Sequence, residues 1–303
     1  MTTATATRAA TACPSPGSHP RPVQIDFPGF EIAEGETVVD VGCGVGDVCV
    51  YAGHRGAHVV GLDIEDLLVD RAHEAMRDVP ARSFRGIVSN CDPIPLPDAS
   101  ADVIVCTEVL EHVEDPSKFL AELARIGKPG ARYLISVPHP TSEAVMRRIA
   151  PDWYFRHPFH VHVYEPERLD ALLIASGLEV LGRHDSGFYW SMSWFLKMTV
   201  GMADPYILPE HPMIDAWDTV ASHLAEHARG HDVLRALDLL VPKSQVRIAR
   251  KVGGRSLVRI SDQPSRLKRW LRDGSIQIGG LDLRWSLRRS NPRRSDPAPP
   301  LDP

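Results

Sequence analysis

Apolar positions along the chain fall into short, partly β-branched runs separated by stretches of helical spacing. Thr37–Val41 ends at a glycine and His58–Asp63 ends in an acid; Ser83–Val88 is weaker, and Asp102–Cys106, Arg132–Val137 and Leu178–Gly182 follow as strand candidates. Between them Val48–Arg55, Asp66–Arg77, Pro116–Ile126 and Pro166–Ser176 read as helices, the third from the spacing of Phe119, Leu120 and Leu123. Lys128-Pro129-Gly130 reads as a turn. Strands alternating with helices predict an α/β fold with a parallel sheet covered on both faces. Ligands of such folds sit outside the carboxyl ends of the strands, so each strand end is a place to look for chemistry.

Composition adds bounds. A chain of 303 residues, 43% hydrophobic and 24% charged, buries a core without disulfide or zinc staples. No run approaches the roughly 18 apolar residues of a membrane span, so no membrane partner is expected. The five cysteines (Cys13, Cys43, Cys49, Cys91, Cys106) contain no C-x-x-C, which points to reduced, buried thiols in a cytoplasmic protein. Residues 1–24 read as a flexible lead-in and the Pro-rich end from Asn291 as a disordered tail. The net charge of −5 hides an asymmetry: Lys243–Arg294 holds 15 Lys/Arg against three acids, whereas residues 1–242 carry a net of −15.

The first strand runs into Asp40-Val41-Gly42-Cys43-Gly44-Val45-Gly46-Asp47. Glycines there permit a tight strand-to-helix turn and let a ligand approach the backbone. A dinucleotide loop, G-x-G-x-x-G, needs glycine at 47, where Asp47 would face a pyrophosphate unfavourably. The segment instead resembles motif I of class I S-adenosylmethionine-dependent methyltransferases, and the resemblance continues in order over about 100 residues. Asp63, followed by Ile64, matches the acid that holds the ribose hydroxyls. Cys91-Asp92 matches the place beside the adenine, Pro95-Leu96-Pro97-Asp98 the segment before the fourth strand, and Lys128-Pro129-Gly130 the turn before the fifth. The resemblance implies S-adenosyl-L-methionine as cofactor, contacted by Asp40, Gly42, Cys43, Gly44, Gly46, Asp63, Ile64, Cys91, Asp92, Thr107 and Glu108. It also implies a doubly wound, mostly parallel seven-stranded Rossmann-like sheet.

The fourth strand leads into Thr107-Glu108-Val109-Leu110-Glu111-His112. On a helical turn 108, 111 and 112 share a face, where two carboxylates and an imidazole suit a divalent metal or acid–base work. The pattern resembles E-x-x-E-H of ubiquinone-pathway O-methyltransferases and of small-RNA 3′-end 2′-O-methyltransferases, where it binds a divalent metal, and so implies a divalent metal such as Mg2+ as a second cofactor here. The RNA enzymes add a downstream histidine, which His160 of His157-Pro158-Phe159-His160-Val161-His162 matches best, although the flanking residues differ. Glu108, Glu111, His112 and His160 are therefore candidate metal ligands. His160 and His112 are candidate bases, His139 and His162 lesser ones. In the alternative reading, Glu108 touches the cofactor's methionine moiety while Glu111 and His112 hold the loop.

Gly187–Leu196, with Met198 and Met202, concentrates aromatics and methionines that either line a pocket or pack as a helix. Asp215–His227 and Val233–Leu240 are further helix candidates, and Pro242–Lys251 resembles the closing strand of small-molecule methyltransferases. The expected organisation is a flexible segment 1–24, a methyltransferase domain 25–252 with a helical lid or insertion at about 187–242 before the last strand, and a basic extension 253–303. Methyl transfer to a small-molecule hydroxyl, as in secondary metabolism, is the leading expectation. An RNA 2′-O-methyltransferase and a non-catalytic S-adenosylmethionine-binding protein compete with it, and nucleic acid is the less favoured partner.

Overall fold

The computed structural model describes Phe27 and residues 29–202, 211–227 and 229–252, together with the backbone of 275–278 and 281–284. The N-terminal segment 1–24, most of the 253–303 extension and Cys13 lie outside the described residues.

Strands β1 (Thr37–Val41), β2 (His58–Asp63), β3 (Ser83–Val88), β4 (Ala101–Thr107), β5 (Gly127–Pro138), β6 (Leu178–Ser186) and β7 (Ser244–Lys251) form one sheet of order β3-β2-β1-β4-β5-β7-β6. The first five are parallel, and β7 runs antiparallel between β5 and β6. Helices α1 (Asp47–His54), α2 (Asp66–Ala75), α3 (Pro116–Ile126), α4 (Pro140–Ile149) and α5 (Pro166–Ala175) connect them. The expected seven-stranded, doubly wound sheet is thus present, with α6 (Phe188–Thr199), α7 (Pro212–Glu226) and α8 (Gly230–Asp238) inserted before the last strand. Val38, Val39, Val41, Val103, Ile104 and Val105 of the central strands are all buried, as two-sided coverage requires. A separate hairpin pairs β8 (Ser275–Ile278) with β9 (Leu281–Arg284).

Three features depart from the pattern read along the chain. Lys128-Pro129-Gly130 does not precede β5 but interrupts it: Gly127 pairs with Ala101 and Arg132 with Val103, so the intervening residues bulge out, with Gly130 at φ 80°. Strand β6 extends four residues past Gly182, because β7 pairs with it as far as Ser186. Helix α4 was not anticipated. Its start carries the local signals of a helix N-terminus: His139 Nδ1 accepts from Thr141 N, Pro140 occupies the first turn and Glu143 supplies an acid there.

The aromatic and methionine segment is helix α6. Its Met198, with Met202, joins Met146 and Tyr154 in a satellite core that Trp194 and Phe195 partly cover. Trp217 of α7 stacks on Tyr189 at 5.9 Å and donates to Tyr189 O and Ser193 Oγ. The helical reading of this segment therefore holds, and its packing surrounds Tyr154.

Candidate active site

The carboxyl ends of β1, β2 and β4 bring the glycine loop, Asp63 and the Glu108–His112 segment together. Gly42 N and Cys43 N both donate to Leu62 O, and Gly44 N donates to Asp63 Oδ2 at 2.9 Å. The other Asp63 oxygen accepts from Glu65 N at 3.0 Å. Each oxygen of this carboxylate keeps a lone pair for an external hydroxyl. A Cβ at Gly42 would lie 2.2 Å from Val109 Cγ2, so the turn after β4 packs directly against the loop. At Gly44 a Cβ would meet nothing within 4 Å, which is the open side that a ligand can approach. Gly46 abuts Ala72 of α2.

Asp40 lies at the floor of this loop, 1% exposed, with Cys49 Sγ donating to Oδ2 and Oδ1 unpartnered. Burial pushes its carboxyl up to about 7; the Cys49 bond opposes the shift, and Asp63 and Asp47 add to it. Cys43 is buried beside Cys49, and both sulfurs lie against Gly61. Ile64, by contrast, is 66% exposed at the end of β2, an apolar surface available to a flat ring. Cys91 is buried at φ 58°, its thiol pushed up to about 11 chiefly by burial. Asp92 carries an ion pair to Lys118 Nζ at 2.6 Å, so its adenine role would have to share the carboxylate with that ammonium.

Thr107 pairs with Ser136 at the end of β4, and Glu108 follows at φ 57° with its N–H on Ser136 O. The expected four-ligand set is not assembled. Glu108 is instead bound by Lys243 Nζ at 2.5 Å and by Ser136 Oγ at 3.0 Å. Burial disfavours the Glu108 charge, but Lys243 outweighs it and holds the carboxyl below its usual range. The reason is topological: the antiparallel β7 starts beside the end of β5 and delivers Lys243 to this point.

Glu111, His112 and His160 do converge, with one ligating atom from each within 4.8 Å of the others. The loop after α4 docks on the Leu110–His112 turn: Val161 N and His162 N donate to Glu111 O, and Tyr164 Oη donates to Leu110 O. His112 Nδ1 lies 2.9 Å from Pro158 O, and the His112 and His160 rings meet edge to face at 5.1 Å. Glu111 is fully buried, and neither carboxylate oxygen has a hydrogen-bond partner. Burial, reinforced by Glu108, pushes its carboxyl well above the usual range. Burial and His160 lower the pKa of His112, which favours the neutral imidazole.

Sequence reading missed two neighbours. Glu143 of α4 faces His160 Nδ1 at 3.3 Å and accepts from Tyr154 Oη at 3.0 Å. In the sequence Lys243 reads only as a base of the closing-strand segment, with no role in the site. Of the lesser histidines, His139 is buried as the N-cap of α4, and His162 lies against Tyr164 with Nε2 buried and unpartnered.

A methyltransferase-domain family model matches residues 19–182, more than half of the chain. The chain belongs to this family. It is a class I S-adenosylmethionine-dependent methyltransferase by family and fold, with S-adenosylmethionine as the cofactor. A ubiquinone biosynthesis O-methyltransferase of Hahella chejuensis is 39% identical over 121 residues, covering 38% of this chain and 49% of that relative. A probable S-adenosylmethionine-dependent methyltransferase of Mycolicibacterium smegmatis is 33% identical over 146 residues, 48% of this chain and 53% of that one. The chain thus spans about half the length of the curated relatives it matches. The crystal structure of the [4+2]-cyclase SpnF aligns with a TM-score of 0.51 at 20% identity, over 73% of this chain and 77% of that one, a likeness of fold alone. Among the described residues no helix is long and apolar enough to cross a membrane.

Proposed function

We propose that this protein transfers a methyl group from S-adenosylmethionine to a hydroxyl of a small-molecule metabolite. The observation that carries the reading is the convergence of Glu111, His112 and His160 at the turn after β4, whose Val109 packs against Gly42 of the glycine loop. Bound S-adenosylmethionine supplies an already activated sulfonium methyl, so the chain's task is to align a nucleophile and manage its proton. Asp63 would accept from the ribose hydroxyls, Ile64 and Cys91 would flank the adenine, and Asp40 would support the loop from below. The imidazoles of His160 and His112 would act on the acceptor's hydroxyl through a bound cation rather than as free bases.

The same residues fit a divalent cation. Glu111 offers two buried oxygens without hydrogen-bond partners, with His112 Nε2 3.7 Å from Oε1, and such a buried carboxylate calls for a cation or a proton. Glu111, His112 and His160 would hold the ion, and the ion would acidify a hydroxyl. One carboxylate with two imidazoles suits Mn2+ or Zn2+ better than Mg2+. Glu108 falls outside this set because Lys243 already neutralises it.

The four described cysteines are free and buried, which supports a reducing compartment such as the cytoplasm. The α6–α8 insertion supports a small acceptor enclosed beneath a lid. Transfer of labelled methyl groups to a panel of hydroxyl-bearing metabolites tests the reading. We expect transfer that EDTA abolishes and a divalent ion restores. Cofactor binding without transfer to any acceptor would favour a binding protein. Salt-sensitive RNA binding lost on truncation after Val252 would favour the RNA enzyme.

A further inference from the structure

His160 sits on a loop, yet its ring is held on several sides. Its backbone N–H donates to Tyr154 O at 3.0 Å, and its ring lies 4.3 Å from the Tyr154 ring. Its Nδ1 faces Oε1 of Glu143, which is 2% exposed in the first turn of α4. Tyr154 Oη donates to that same oxygen, while Oε2 has no partner. Oε1 already accepts from Tyr154 Oη and serves as the acceptor here as well, which places the proton of this contact on His160 Nδ1; in the neutral ring Nε2 then carries the lone pair. His112 is fixed in the same sense by another pure acceptor, the Pro158 carbonyl. Two imidazoles thus share one tautomer, and both gather at a buried carboxylate that has no donor of its own.

The arrangement is a carboxylate–histidine support of the kind that orients metal-binding imidazoles. We propose that Glu143 is a positioning residue for a divalent transition-ion site. It fixes the tautomer and ring orientation of His160 so that Nε2 joins Glu111 and His112 Nε2 as a ligand, and it does not ligate the ion itself. The proposal rests on the cation reading given above. Glu143 belongs to this site through His160, whereas Glu108 is excluded by its ion pair with Lys243.

The test is Mn2+ affinity of the full chain, measured calorimetrically with S-adenosylhomocysteine bound. Glu143→Leu should weaken Mn2+ binding by about 10–100-fold while leaving S-adenosylhomocysteine affinity unchanged. Glu143→Gln, whose amide oxygen accepts from the same Nδ1–H, should retain most of the affinity. Imidazole 15N spectra of the wild-type protein should show His160 as the Nδ1–H tautomer, with Zn2+ shifting Nε2. Wild-type Mn2+ affinity in Glu143→Leu, or an Nε2–H tautomer of His160, overturns the proposal and leaves the cation reading standing. If Glu143→Leu fails to fold, the wild-type tautomer decides. Absence of Mn2+ or Zn2+ binding by the wild-type protein overturns both.

Discussion

Lys243 and Glu108, 135 positions apart in sequence, form an ion pair of 2.5 Å at the junction of the glycine-loop site and the last strand. The Lys243 side chain is 14% exposed and that of Glu108 33%. Removing the lysine strands a carboxylate whose backbone is already left-handed. Lys243→Met should therefore destabilise the fold by about 2–3 kcal/mol, below the ~3–5 kcal/mol of a fully buried pair because Glu108 keeps some water. Glu108 titrates below its unfolded value, so the pair's contribution is complete above about pH 4.3 and is lost as pH falls through the lowered folded value. Urea denaturation at pH 7 and pH 3 checks both points: the mutational cost should shrink at pH 3.

Two substitutions in the glycine loop should separate cofactor binding from folding. At Gly44 a new side chain enters open space, and Asp tolerates a left-handed backbone better than most residues. Gly44→Asp should keep its melting temperature within a few degrees of wild type while abolishing S-adenosylhomocysteine binding. Gly42→Ala places a methyl into Val109 and combines that clash with φ 76°. It should lose stability by about 2–4 kcal/mol. Calorimetric binding and thermal melts of both variants decide the matter; tight binding by Gly44→Asp would sink the assignment of this loop.

The parts of the site that were legible in sequence depend on local rules. Gly42, Gly44 and Gly46 mark a loop because left-handed backbone favours glycine, and Asp63 stands out as an acid ending an apolar run. Glu111 and His112 share one short turn, so their proximity was readable from spacing. Glu143 and Lys243 were not, because each owes its role to tertiary pairing. No pattern around Lys243 says that an antiparallel β7 will set it against Glu108 rather than leave it among the bases that follow. Helix α4 is a different case, since His139-Pro140 with Glu143 carried a readable start signal.

Asp40 gives the ligand-free protein a pH dependence of definite sign. Its folded value of about 7 lies above the unfolded ~3.9, so between these pH values the folded state holds a proton that the unfolded chain has released. Stability therefore falls as pH rises from about 4 to 7, by about 4 kcal/mol in total from this group. Asp40→Asn should match wild type near pH 4 and melt higher at pH 7. Melting curves across that range check it; parallel wild-type and variant profiles would show that the buried oxygen finds a partner in solution.

Lys243 and the bases of β7 change how the positive C-terminal stretch is understood. Lys243 pairs with Glu108, Arg247 with Asp170, Arg250 with Glu179, and Lys251 donates to Gly127 O. Arg247 is 1% exposed, and Asp170 receives both its Nε and that of Arg183. These four charges are therefore engaged in holding the last strand to its neighbours, which weakens the electrostatic case for nucleic acid along β7. Asp170→Ala leaves a guanidinium buried with only Gln245 Oε1 and Val246 O as acceptors. It should cost about 3–5 kcal/mol in urea denaturation. Arg250→Ala, at a half-exposed pair, should cost under about 1 kcal/mol. If RNA binding occurs, Arg250→Ala should leave its salt slope unchanged, while removing the bases beyond Val252 should flatten it by about one unit per lost phosphate contact.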